Sequence, residues 1–488
     1  MKLIAMLLAV LIFLSALSAC GSEAEKSDTV TDAETTAATE SETTSAEYTC
    51  ALPEIDFENA TFRILAAAEQ WQNYYYIETE TGEIIEDAVF KRNLDVEDKY
   101  GIDIEYRIFN GYSAGMDSVK KALTASVMSG GGDYDLLVGS SSYIGALVPE
   151  GLFSKLNRSD YIDLEAPWWF QGINNEIKVN NSLYIGAGAY GMLNYAWAVP
   201  IFFNKKTVED YNLEDIYNTV DTGKWTYDRM CELCSKVTSD LDGDGKYTTA
   251  DMVGMVSTYD YMSMLSSSMG CRFSRHESDG SVIIEPYSER IASVIEKLQR
   301  FSGSDLYLEV STSEKESYQY QSMIETFAGG HALFLCHRLN HCEKEALRNM
   351  DGYGIIPPPK YDESQSDYIT YIPAEVAGIP YVVTNDEMSQ IILEALQYQT
   401  YKDVVPQYYD IALKNKYAQD PVAGRMLDII FGNVICPFTY VYSKILGGEA
   451  LLYIVESEDT ASKYASSIDM VQTKLDKMLD KIKENDND

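Results

Sequence analysis

The chain has 488 residues, 46% of them apolar, which is enough for two domains with separate cores. Its formal net charge of −38 excludes an ordinary nucleic-acid binder, because phosphate backbones are held by surplus Lys and Arg. Aromatic residues make up 12%, with 37 tyrosines dominating, so flat rings are available to stack on a ligand.

Lys2 precedes an apolar run from Leu3 to Leu17, too short to span a bilayer and right for a signal h-region. Leu17-Ser18-Ala19-Cys20-Gly21 follows and resembles a bacterial lipobox, which implies a signal peptide over residues 1–19 and a lipid on Cys20. No later window is apolar for 18 residues, so the mature protein is expected at the extracellular face of the cell membrane, anchored by lipid and not spanning it. Residues 22–49 are mostly Thr, Ser, Ala and Glu, a composition that cannot order itself. The segment 20–55 therefore reads as a lipidated, disordered linker; 28 flexible residues span roughly 30 Å.

Thr61 to Ala66 reads as a strand, and Ile84 to Lys99 as a helix ended by Gly101. Ile102 to Ile108 alternates with period two, as a strand does. Met116, Val119, Leu123 and Val127 mark one face of a helix stopped by Gly130-Gly131-Gly132. Asp135 to Gly139 is a buried-strand run, followed by Ser140-Ser141-Ser142. Strands alternating with such helices predict parallel βαβ units, whose ligands bind beyond the carboxyl ends of the strands. That rule picks out Trp71, Ser140 and Ser141.

Asn180-Asn181 between apolar runs predicts a hairpin turn. Thr226 is placed to cap a helix running to about Val237, on which Cys231 and Cys234 read as packed thiols, since no second pair at ligand spacing accompanies them. Asp240, Asp242, Asp244, Gly245 and Asp251 fall at positions one, three, five, six and twelve of a calcium loop, with Asp in place of the usual Glu at twelve. Structural calcium is the only cofactor this suggests. Tyr259, Tyr261 and Met262 follow the Val253 to Thr258 run. Cys336, His337, His341 and Cys342 cluster, but neighbours on a strand point opposite ways and make poor chelators.

Tyr353 to Thr384 carries the most information. Gly354-Ile355-Ile356 is stopped by Pro357-Pro358-Pro359, a polar loop from Lys360 to Asp367 follows, and a second strand is expected from Gly378 to Val383. This Gly-Ile-Ile-Pro-x-Pro-Lys-Tyr-Asp-Glu-x-Gln segment closely resembles the extracellular solute-binding proteins of bacterial ABC importers, in the carbohydrate-binding family. Phe203-Asn204-Lys205, Pro167-Trp168-Trp169 and Phe327-Ala328-Gly329-Gly330-His331-Ala332 resemble segments of the same family, in the same order. The resemblance implies an α/β, two-lobed periplasmic-binding-protein-like fold with a ligand cleft between the lobes. Lobe one would hold residues 56–200 and lobe two 201–370, with 371–488 returning to lobe one and adding C-terminal helices.

It also implies a monomer that binds a sugar or oligosaccharide and passes it to ABC-transporter permease subunits. On this reading Trp71, Ser140, Ser141, Trp197, Tyr261 and Arg338 contact the ligand. A secreted glycosidase and a solute-sensing lipoprotein are the alternatives. No Gly-x-Ser-x-Gly, His-Glu-x-x-His or phosphate loop is present, so no catalytic residue is assigned.

Overall fold

A computed structural model describes residues 48–310, 316–350, 352–414, 421–448, 451, 453–457 and 459–485. Cys20, the signal segment and the linker up to residue 47 lie outside the described residues. Cys50, Leu52, Ile55 and Phe57 already pack against the core, so packing begins inside the stretch read as linker.

The strands, in chain order, are β1 (Ala60–Ala67), β2 (Ile102–Phe109), β3 (Leu136–Ser140), β4 (Ile201–Asn204), β5 (Val253–Ser257), β6 (Ser274–His276) and β7 (Val282–Ile284). They continue with β8 (Tyr307–Glu309), β9 (Ala332–Cys336), β10 (Tyr353–Ile356), β11 (Thr370–Tyr371), β12 (Glu375–Gly378) and β13 (Val434–Ile435). Two main sheets result, with orders β12-β3-β1-β2 and β10-β4-β9-β5-β8. These are the two expected lobes.

In lobe one, β1 pairs parallel with β2 and β3, joined by helices Ile84–Tyr100 and Ser113–Met128. The first helix stops because Gly101 takes the left-handed conformation (φ 59°), which a side chain would disfavour. β3 is apolar and buried, as a central strand between β12 and β1 is expected to be. In lobe two, β5 pairs parallel with β8 and β9, while β4 and β10 are antiparallel. Thr226 Oγ1 accepts from Arg229 N–H at 3.2 Å and starts helix Tyr227–Val237, as its sequence position predicts.

Two expectations differ in detail. Pro357 to Lys360 does not leave the core: Trp225 Nε1–H donates to the Pro357 carbonyl (2.9 Å), and the Lys360 backbone exchanges bonds with Trp225 and Tyr227. Lys360 is buried, its ammonium 5.3 Å from the Tyr368 ring centre, so its charge is screened by a π face while its stem packs. The returning strand is Glu375–Gly378 and not the run after Gly378, because Pro380 lacks the N–H that a ladder needs.

The crossings between the lobes are tied together. Asn194 Oδ1 accepts from Glu375 N–H (2.7 Å) and its Nδ2 donates to the Glu375 carbonyl (3.1 Å). Val199 N–H reaches the Tyr371 carbonyl (3.3 Å), and Leu339 N–H the Ala198 carbonyl (2.9 Å). The hairpin β6–β7 belongs to lobe two by sequence but is held by lobe one, where His276 Nε2 lies 2.8 Å from the Glu176 carbonyl. The last helix, Thr460–Asn485, buries Val471, Leu475, Met478 and Ile482 on one stripe. It docks on lobe one through Lys481 to Glu150 and Asn485 to the Pro149 carbonyl, and meets the hairpin through Gln472. Among the described residues no helix is long and apolar enough to cross a membrane.

Candidate functional site

Parallel strands end on one edge, so whatever follows β1 and β3 in lobe one, or β5 and β9 in lobe two, is gathered at the edge facing the other lobe. The turn Glu69–Tyr74 follows β1 and carries Trp71; Ser140 closes β3. Helix Tyr259–Ser268 follows β5 and carries Tyr261, while His337 and Arg338 follow β9. Trp197 lies on the first crossing, directly after the short helix Leu193–Ala196.

These residues meet. The rings of Trp71 and Trp197 are 5.6 Å apart, edge to face at 86°. The Arg338 guanidinium sits 4.6 Å from the Trp197 ring centre and 5.9 Å from that of Tyr261. Lobe one, the crossing and lobe two therefore each supply part of one cluster. Trp197 is 5% exposed and its indole N–H has no hydrogen-bond partner among the described residues. A buried donor left in that state costs about 1–3 kcal/mol unless a water or ligand accepts from it.

The serines behave differently. Ser140 is half-buried, pairs with Glu375 across the β3–β12 ladder, and its Oγ is 3.5 Å from that of Ser142. Ser141 is fully buried, with its Oγ 3.7 Å from Cys436 Sγ, so its hydroxyl faces the interior of the fold and the structure does not bring it into the cluster.

Further side chains surround the cluster, of which Tyr112 and Glu375 were not picked out from the sequence. Trp71 Nε1–H donates to Tyr112 Oη (3.1 Å), and Tyr112 meets Tyr143 edge to face at 6.4 Å. The Tyr261 ring lies 4.5 Å from His337, which is 3.6 Å from His341. Burial, then the neighbouring His341 and Arg338, holds His337 well below the usual histidine range; burial likewise holds His341 down, to about 3. Both rings are neutral at pH 7, so the positive charge beside them comes from Arg338 and Lys344. Glu375 is 2% exposed and burial pushes its carboxyl up to about 7, against the hydrogen bond it accepts from Tyr75 Oη. A buried acid in a strand gives no signal in a sequence, where it reads as loop.

Outside the cluster, a cleft of about 740 Å³ opens between the Glu69–Tyr74 turn and the start of the Ile84–Tyr100 helix on one side and residues 343–348 of lobe two on the other, with Trp71 in its wall.

The Asp-rich loop is elsewhere, at the amino end of β5 and so at the opposite edge of the lobe-two sheet. Asp240, Asp242 and Asp244 bring carboxylate oxygens within 4.8 Å of one another. Asp251 is not in that group: its oxygens accept from Leu241 N–H and Thr248 N–H, both at 2.9 Å, which holds its carboxyl below the usual range. Cys231, Cys234, Cys336 and Cys342 carry free thiols, and the two histidines beside the last pair join no metal-ligand group among the described residues.

Many solved structures share this architecture. The sugar-binding protein MalE of Xanthomonas citri matches with a TM-score of 0.57 at 12% identity, over 87% of this chain and 98% of that one. The chain has the solute-binding-protein fold. The cyclic α-maltosyl-1,6-maltose binding protein of Arthrobacter globiformis matches with a TM-score of 0.55 at 12% identity, over 86% and 99% of the two chains. A cyclo/maltodextrin-binding protein solved with maltotetraose gives 0.54 at 13% identity, over 88% and 98%. No family model and no curated protein matches this sequence. At these identities the solute-binding fold is shared while the side chains are this protein's own, so its ligand chemistry has to be read from the cluster and the cleft.

Proposed function

We propose that the protein is a lipid-anchored solute-binding protein at the extracellular face of the cell membrane, which captures a sugar or oligosaccharide and delivers it to the permease subunits of an ABC transporter. The observation that carries this reading is the convergence of Trp71, Trp197, Tyr261 and Arg338 from both lobes and the crossing between them. Aromatic faces take the C–H surfaces of sugar rings, and a few convergent donors fix their orientation. Trp197 Nε1–H and the Arg338 guanidinium are such donors, and hydroxyl lone pairs are their natural acceptors.

On this reading the protein works as a monomer and performs no chemistry. The two crossings, bonded to each other near Val199 and Tyr371, act as the hinge, and a ligand that contacts both lobes favours their closure by the affinity difference between the two forms. For the Asp-rich loop we propose a structural calcium held by Asp240, Asp242 and Asp244, with Asp251 bracing the loop backbone.

A thermal-shift screen of the mature protein over mono- and oligosaccharides tests the reading. Ligand at a hundred times its Kd should stabilise the fold by about 2.7 kcal/mol. A sugar that is cleaved during the screen would transfer the protein to the glycosidases.

A further inference from the structure

The interlobe cleft differs in charge from the cluster behind it. Its wall holds Glu69, Glu83, Glu86, Glu343 and Glu345, against Lys344 and Arg348. Glu69, Glu83 and Glu345 are exposed, and Glu86 is half-buried. Glu69 and Glu86 accept from the amides of Asn110 (3.2 Å) and Asn73 (2.7 Å), neutral partners that leave the negative charge in place. Burial pushes the Glu343 carboxyl upward, so the other four acids supply most of the field. The carboxylates come from both lobes, and a cleft between low-dielectric walls focuses such a field on whatever enters. In the cluster behind Trp71, outside the cleft lining, the chemistry reverses, because the Trp197 N–H has no partner among the described residues and Arg338 is a cation.

Volume bears on length. At about 740 Å³ the cleft is in the upper part of the roughly 300–1,000 Å³ range of small-molecule sites, more than one sugar ring fills. Trp71 belongs to both its wall and the cluster, so a single ligand touching that ring can extend in both directions.

Building on the sugar-binding reading, we propose that the cleft selects an oligosaccharide of at least two rings that carries no acidic group. Its inner ring accepts from Trp197 Nε1–H, its outer rings lie between the Glu69–Tyr74 turn and residues 343–348, and an amino group on an outer ring is favoured over a hydroxyl. Uronates and other anionic sugars are repelled at the mouth before they can reach Arg338.

Calorimetric titration of the full mature chain tests this, using neutral, amino and uronate trisaccharides in α- and β-linked series together with their monosaccharides. The expected order within a series is amino, then neutral, then uronate, with monosaccharides weakest. In the double variant Glu83→Gln, Glu345→Gln, both exposed positions, the amino sugar should lose and the uronate gain about fivefold in affinity relative to the neutral sugar. The amino preference should also shrink at about 1 M salt. A uronate bound as tightly as its neutral counterpart, a monosaccharide as tight as its trimer, or a double variant with the original order would overturn the selection. Absence of binding by every member would overturn the sugar-binding reading itself.

Discussion

Replacing Trp197 by Phe separates binding from folding, which replacing it by Ala does not. The side chain is 5% exposed, so Trp197→Ala opens a cavity and should cost about 3–5 kcal/mol of stability whatever the residue does for a ligand. Phe keeps a ring against Trp71 and a π face for the Arg338 guanidinium, and deletes the indole N–H that has no partner among the described residues. In the empty protein two effects then oppose each other. Some packing is lost with the second ring, while a buried donor is removed whose desolvation costs about 1–3 kcal/mol. The melting curve should therefore move little. In the complex the donor meets a sugar oxygen, a bond worth about 0.5–1.5 kcal/mol, so Trp197→Phe should weaken binding about two- to tenfold. Calorimetry with the tightest sugar, beside melting curves of both proteins, reads the two quantities separately. Unchanged affinity at unchanged stability would refute the placement of this N–H against a ligand.

Cys20→Ser should move the protein from the membrane fraction to the soluble one, and unchanged retention would end the lipid-anchor proposal. Chelator should lower the melting temperature of the wild type, and Asp242→Ala should remove that response; a wild type indifferent to chelator holds no calcium in the Asp240 loop. Stability should fall as pH rises from about 5 to above 7. Glu375 and Glu394 are buried acids whose folded-state carboxyls are pushed up to about 7, so their contribution is complete below the unfolded value and is lost as pH rises through the folded one. Each accounts for at most about 3 kcal/mol, and Glu375→Gln, whose amide carbonyl can still accept from Tyr75 Oη, should flatten the curve. An identical pH dependence in Glu375→Gln would show that this carboxyl titrates normally.

Local signals were the legible ones. Gly101 ends a helix because it can adopt a positive φ, Thr226 begins one because its hydroxyl reaches a free N–H, and Asn180-Asn181 turns the chain with both residues at positive φ. Motif order carried the two-lobed architecture and put Trp197 on the first crossing, and the strand-end rule brought Trp71, Tyr261 and Arg338 to the same edge, because it depends only on which residues follow parallel strands. It could not say which way a side chain turns, and so included Ser141, whose hydroxyl points to Cys436. What stayed hidden depends on distant partners. Glu394 is buried because the indoles of Trp168 and Trp169 both donate to it, at 2.7 and 2.8 Å, from more than two hundred residues away. The lobe-one attachment of the 274–284 hairpin and the donation from Trp71 to Tyr112 have no local pattern either.

The central claim, that a sugar is held between the lobes and released unaltered, is tested most directly on Trp71, which is half-buried and lines both the cleft and the cluster. Calorimetric titration of the wild type with the best sugar from the screen should give one site per chain, with the sugar recovered intact afterwards. Trp71→Ala should lose about 2 kcal/mol of that binding, about thirtyfold, while its melting curve without sugar stays close to wild type. Full affinity in Trp71→Ala, or recovery of cleaved sugar, would contradict the account.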